Sequence, residues 1–138
     1  MKSIVSEKTI LTVPFFDCDP MAICWHGHYA KYLELARCDL FEKIDYGYIK
    51  MRDSGYSWPI IDLQIRYIQP IKYEQTIEIE AGIVEYENYI KVDYEIHDQN
   101  SGQRLTKAMT KQVAVTLVDA EMQIVSPSIL RKKLANYL

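Results

Sequence analysis

Residues 16–29 read Phe-Asp-Cys-Asp-Pro-Met-Ala-Ile-Cys-Trp-His-Gly-His-Tyr, and hold two carboxylates and two histidines. They precede the only long helical pattern in the chain. A carboxylate at a helix start can act on a carbonyl. It attacks the carbon or activates a water, and the free N–H groups and partial positive charge of the helix end receive the oxyanion. By spacing alone Asp19 also reads as a turn or helix cap, since Asp is a favoured cap. Asp17 reads as a turn or capping residue and His28 as a surface or capping one. His26 has a side chain suited to proton transfer near neutrality, and a structural role is equally open to it. Cys18 and Cys24 flank this stretch. A Cys–His nucleophile is a weaker rival, because the neighbouring Asp charges raise a thiol pKa.

The elements that must position this stretch follow from periodicity. Residues 9–16 are apolar and β-rich, a strand expected to meet Pro14 at an edge or bulge. From about Trp25 to Ile44, Tyr29, Leu33, Ala36, Leu40 and Ile44 share one helical stripe, with Glu34 and Arg37 placed to pair. Gly47 reads as the stop, and Tyr48 to Asp53 as a short helical piece ended at Ser54-Gly55. Residues 58–71, 76–85, 89–97 and 104–118 read as strands, most with clean apolar–polar alternation and short connections. Ser126 at the N-cap and Pro127 at the first helical position predict a C-terminal helix over 129–138. The order β, α, four β, α makes an α+β domain: one long helix packed on a roughly five-stranded antiparallel sheet with one wet face. Pairing of such sheets through their edges would give a homodimer.

Bulk properties narrow the function classes. The 138 residues suit one domain spanning 1–138, with 49% hydrophobic and 25% charged residues. The net charge of −3 and scattered Lys and Arg give no basic patch, so no nucleic-acid partner is expected. Eleven tyrosines fit a strand-rich chain. Three cysteines without ligand spacing predict no metal site and a reduced, cytoplasmic setting. No apolar run approaches the roughly 20 residues of a membrane span, and residues 1–7 show no leader-like apolar region.

The pattern Asp17-x-Asp19-Pro20-x-x-x-x-Trp25-His26-x-x-Tyr29 with Glu34-x-x-Arg37 resembles the hotdog-fold acyl-CoA thioesterases, in particular the 4-hydroxybenzoyl-CoA thioesterase and YbgC-like group. The likeness continues through Pro59-Ile60-Ile61, Arg66-Tyr67-x-x-Pro70, residues 113–118 and Pro127, nearly the whole chain. It implies a hotdog fold and hydrolysis of an acyl-CoA thioester to free acid and coenzyme A. Coenzyme A would be part of the substrate, with no metal or redox cofactor. It implies that Asp19 is nucleophile or general base, that His26 assists, and that the N–H of His26 or a neighbour polarises the carbonyl. It places the site at an interface between copies, in a dimer or dimer of dimers, with residues just before Pro59 of the other copy nearby. Trp25, Ser57 and Trp58 are then candidate acyl-pocket residues, against a bland reading as core aromatics and a turn serine. The chain departs from the pattern at Ala22, where Gly is usual, at Phe15, where some members have Tyr, and at the acidic 85–88 hairpin, which is basic in some relatives. Hydrolysis on acyl carrier protein and a non-catalytic acyl-CoA binding module are the alternatives.

Overall fold

The computed structural model describes residues 2–138; Met1, the first residue of the segment read for a leader, lies outside them. Five antiparallel strands form the main sheet: β1 (Val5–Thr12), β3 (Ile60–Tyr67), β4 (Thr76–Glu85), β5 (Ile90–Asp98) and β6 (Arg104–Gln112), in the spatial order β1-β4-β5-β6-β3. β2 (Tyr56–Ser57) and β7 (Val115–Thr116) make a separate two-stranded ribbon. The helices are α1 (Tyr29–Lys43), α2 (Tyr48–Asp53) and α3 (Ser128–Leu134). No described helix is long and apolar enough to cross a membrane.

The alternating strands do what their period requires. Ile77, Ile79, Ala81 and Ile83 of β4 and Ile90, Val92, Tyr94 and Ile96 of β5 are fully buried on one face of the sheet. The stripe of α1 covers that face: Tyr29, Leu33, Ala36, Leu40 and Ile44 are all buried, with Tyr32 and Phe41 beside them. This is the hotdog arrangement, one long helix packed on the apolar face of an antiparallel sheet. Two hydrogen bonds fasten α1 to β1, from Lys43 Nζ to the Ser6 carbonyl at 2.6 Å and from Thr9 Oγ1 to Asp39 at 2.5 Å. Arg37 is also drawn under the helix, 3.5 Å from Tyr94 Oη and 3.9 Å from Glu34, so the expected pair forms only loosely.

Several element boundaries differ from expectation, each for a local reason. The first strand runs over 5–12 rather than 9–16. It pairs with β4 from Val5↔Ile83 to Thr12↔Thr76, and Pro14 then opens a 3-10 turn over Phe15–Asp17. The long helix starts at Tyr29, not Trp25, because residues His26–His28 form a 3-10 turn first. Its end is turned by Asp45 at φ 58°, while Gly47, at φ −69°, caps α2 instead. The expected 58–71 strand is the shorter β3 (Ile60–Tyr67), and Pro59, which brings no ladder donor, separates it from β2. The 104–118 strand likewise breaks at Val113-Ala114, where Val113 N–H turns to the Pro59 carbonyl. At the C-terminus Pro127, not Ser126, is the cap of α3, and a 3-10 turn replaces the helix beyond Leu134. Replacing Leu40, fully buried on the sheet-facing stripe of α1, by Ala should cost about 2–5 kcal/mol of stability, read as a lower urea midpoint with unchanged slope.

Candidate active site

Residues 17–25 fold back on themselves as a narrow antiparallel ribbon. Trp25 N–H donates to the Asp17 carbonyl at 2.9 Å, and Asp19 N–H to the Ile23 carbonyl at 2.8 Å, so Cys18 and Cys24 face each other. The chain after β3 pins the ribbon from the other side: Cys24 N–H donates to Ile71, Tyr73 N–H donates to Ala22, and Ile23 bridges Lys72. Ala22 turns the ribbon at φ 60°, the left-handed conformation that glycine adopts most easily.

Asp17 ends the 3-10 turn over Phe15–Asp17, but its side chain does more than a turn requires. It is almost completely buried, and its carboxylate takes a 2.6 Å hydrogen bond from Tyr32 Oη and a 2.7 Å ion pair from Lys31 Nζ, both on the first turns of α1. His28 Nδ1 lies 3.8 Å away. Burial works against its ionisation, but the Lys31 and Tyr32 hydrogen bonds and the Lys31 and His28 charges prevail and hold its pKa below the ordinary value. The same burial and the Asp17 bond push the Tyr32 hydroxyl far up, so it stays a donor. Asp17 therefore bolts the ribbon to the start of α1, a role its spacing did not announce.

Asp19 sits in the ribbon's turn, half-buried. Its Oδ1 accepts from the N–H of Met21 at 2.8 Å and, more loosely, of Ile23 at 3.3 Å, the local turn bonding typical of Asp. Among the described residues Oδ2 has no hydrogen-bond partner. The cap reading of Asp19 is thus correct for one oxygen, and the other is left open for chemistry. The 3-10 turn before α1 begins its own hydrogen bonds at His28, whose N–H reaches the Trp25 carbonyl. The N–H groups of His26 and Gly27 precede that first bond and find no acceptor within the turn. Among the described residues these two amides have no hydrogen-bond acceptor. Tyr67 of β3 holds the turn by donating to the His26 carbonyl at 3.2 Å, while Trp25 packs across Gly27 and against His26. A Cβ on Gly27 would fall 2.2 Å from the Trp25 ring, so only glycine admits this packing.

Ser57 and Trp58 lie elsewhere in the chain. They line a cleft of about 670 Å³ together with Phe41, Tyr48, Met51 and Gln112. Trp58 is a fixed wall: its indole N–H donates to Tyr46 Oη at 3.1 Å and its carbonyl accepts from Gln112 Nε2 at 2.8 Å. The structure brings Trp25 and His26 together beside the Asp19 ribbon, and Ser57 and Trp58 together in the cleft. It does not join the two groups within one chain. Among the described residues no group of three or more His, Cys, Asp and Glu side chains is arranged to hold a metal ion.

Residues 13–132 match the profile of the thioesterase-like superfamily. The chain belongs to that superfamily. By family it is a thioester hydrolase. YneP of Bacillus subtilis (strain 168), described as a candidate acyl-CoA thioesterase, is 30% identical over 112 residues, 80% of each chain. Among solved structures, the 1,4-dihydroxy-2-naphthoyl-CoA thioesterase Slr0204 of Synechocystis superposes with a TM-score of 0.84 at 16% identity, covering 96% of this chain and 97% of that one. A variant of 4-hydroxybenzoyl-CoA thioesterase bound to 4-hydroxybenzoyl-CoA gives 0.81 at 19% identity, covering 94% and 98%. At these identities the structural likeness is one of fold.

Two expected outcomes follow from the ribbon. The lowered pKa of Asp17 means its ion pair stabilises the fold above the ordinary carboxylate range, and that contribution disappears as pH falls through the depressed value. Asp17→Asn should therefore lose about 1–3 kcal/mol at neutral pH and show a flatter acid limb in pH-dependent urea unfolding. Ala22→Gly should relieve the left-handed strain and stabilise by about 1 kcal/mol, raising the thermal midpoint by a few degrees.

Proposed function

We propose that this chain hydrolyses an acyl-CoA thioester to the free carboxylic acid and coenzyme A, with Asp19 as the reacting carboxylate. The observation that carries the assignment is the placement of Asp19. One oxygen is fixed by backbone amides, and the other is unpartnered on a ribbon that leads directly into the free N–H groups of His26 and Gly27. A thioester carbonyl seated on those amides would gain stabilisation as its oxygen became negative. Asp19 Oδ2 would then either attack the carbonyl carbon, giving a mixed anhydride that water cleaves, or take a proton from a water that attacks directly. In both routes the thiolate of coenzyme A leaves, and a thiolate needs little help to depart. His26, beside the amide turn, is placed to orient the carbonyl or the incoming water, and Trp25 to border the thioester.

The acyl group is assigned to the Ser57–Trp58 cleft, whose walls are largely aromatic and aliphatic. This requires a second copy of the chain. β3 is an edge strand of the sheet, and Ile60, Ile61, Leu63 and Tyr67 on it are exposed. Antiparallel pairing of β3 with its counterpart would cover those side chains and satisfy the open ladder. It would also carry the Ser57–Trp58 cleft of one copy toward the Asp19 ribbon of the other, which explains why neither group meets the other within a chain. The active unit is then a homodimer, alone or within a dimer of dimers.

The test is release of free thiol from acyl-CoAs with short, long and aromatic acyl groups, comparing the parent protein with Asp19→Asn. Turnover by the parent and a loss of about 10²- to 10⁴-fold in kcat for the variant, with the folded dimer retained by sedimentation, is the expected result. Equal turnover by both proteins would remove Asp19 from the chemistry, and thiol release by neither would overturn the acyl-CoA assignment.

A further inference from the structure

The ribbon that presents Asp19 holds two cysteines in a special relation. Cys18 and Cys24 are direct cross-strand partners. The hydrogen bonds around them run from Asp19 N–H to the Ile23 carbonyl and from Trp25 N–H to the Asp17 carbonyl. Neither cysteine's own amide bonds the other, so they form the non-hydrogen-bonded type of antiparallel pair. In that type the two Cα atoms stand only about 4.5 Å apart and both side chains leave the same face. A disulfide accepts Cα separations of about 4.4–6.8 Å, with Cβ atoms about 3.8 Å apart, so the backbone already meets the requirement with a small inward adjustment. Cys18 is half-buried and Cys24 is buried behind it. Each thiol donates only weak sulfur hydrogen bonds of 3.6–3.7 Å, Cys18 to the Pro14 carbonyl and Cys24 to the Trp25 carbonyl and Tyr32 Oη.

The geometry points to a covalent modification site: Cys18 and Cys24 form a reversible disulfide that closes the Asp19 turn and slows thioester hydrolysis. The bond requires a two-electron oxidant, which we assign to the class of low-molecular-weight disulfides. The half-buried Cys18 thiolate attacks one sulfur of the oxidant, forming a mixed disulfide and expelling one thiolate. The Cys24 thiolate then attacks the Cys18 sulfur, forming the internal bond and expelling the second thiolate. Both cysteines are oxidised, the small disulfide is reduced to two thiols, and the two cysteine protons pass to solvent or to the departing thiolates.

The consequence for activity rests on Asp19 being the reacting carboxylate. Cys24 Sγ lies 3.7 Å from Tyr32 Oη, and Tyr32 is the donor that holds Asp17. Drawing that sulfur toward Cys18 takes it away from Tyr32 and tightens the loop that carries Asp19 between the two cysteines. A misplacement of about 1 Å at a reacting group can cost about 100-fold in rate, so a smaller shift of Asp19 is expected to cost about tenfold. Burial, followed by the charges of Asp17 and Asp19, pushes the Cys18 thiol up. Burial, Asp17 and Cys18 do the same for Cys24 against the opposing Tyr32 hydrogen bond and Lys31 charge. Thiolate is therefore scarce at neutral pH, and the bond should form faster as pH rises from about 7 to about 9.

The experiment treats the reduced, full-length protein with excess oxidised glutathione and follows two readouts. In the first, the protein is alkylated and cleaved after Lys8 and Lys31, which places both cysteines in one peptide, 9–31, separate from the exposed Cys38. The expected peptide carries no alkyl label and is lighter by its two thiol hydrogens. In the second, hydrolysis of the best acyl-CoA falls about tenfold and returns on adding dithiothreitol, while the activity of Cys18→Ser no longer responds to the oxidant. Full alkylation of both cysteines after oxidation, or a disulfide that leaves turnover unchanged, would overturn the proposal. If the reduced protein hydrolyses no acyl-CoA, the function above fails, and the peptide readout still decides whether the disulfide site exists.

Discussion

A buried carboxylate on one short ribbon governs the geometry of this protein's chemistry. Asp17 is removed from water, which is costly for a charge, and it persists only because Tyr32 and Lys31 meet both of its oxygens. Those two donors are consecutive residues on the opening turns of α1. The ribbon therefore has no freedom to slide along the helix, and the position of Asp19, two residues on, is set by a bond it does not itself make. The segment after β3 closes the remaining side through backbone hydrogen bonds to Ala22 and Cys24. Asp19 is thus held by three elements, the first turns of α1, the ribbon itself and the 71–73 segment.

The start of α1 is built for a related purpose. A 3-10 turn intervenes between the ribbon and the helix, and it leaves the amides of His26 and Gly27 outside any internal bond. Trp25 lies across Gly27, and Tyr67 reaches in from the sheet edge to hold the His26 carbonyl. The aromatic residues here are supports for backbone groups more than contributors to the core. Their half-exposed rings also leave this side of the molecule incompletely covered, as does the bare edge of β3. Both features favour the proposal that another copy finishes the site.

Cys18 and Cys24 acquire meaning only in this setting. In the sequence they are two of three cysteines with no ligand-like spacing, and as nucleophiles they are poor because burial and acidic neighbours keep them protonated. The same ribbon that aims Asp19 sets them directly opposite each other. A pair unfit for attack on a thioester is nonetheless well placed for oxidation with its neighbour.

Much of this was legible in the residues themselves. The β4 and β5 strands and the buried stripe of α1 follow from period-two and helical spacing, because these are local signals repeated over many positions, while the function class came from the family resemblance carried by the Asp-x-Asp-Pro pattern and its neighbours. The exact strand limits were less so, since Pro59 and the Val113-Ala114 break redirect hydrogen bonds that alternation cannot register. The resemblance singled out Asp19, but residue type and spacing did not show what Asp17 does. Asp17 and Asp19 are chemically identical and lie two residues apart. Only the packing of α1 buries one against Tyr32 and Lys31 and leaves the other with an open oxygen. The separation of Ser57 and Trp58 from the Asp19 ribbon was likewise a tertiary outcome. It depends on where the sheet carries β2 relative to α1, and distance across a fold is not written in the spacing along a chain.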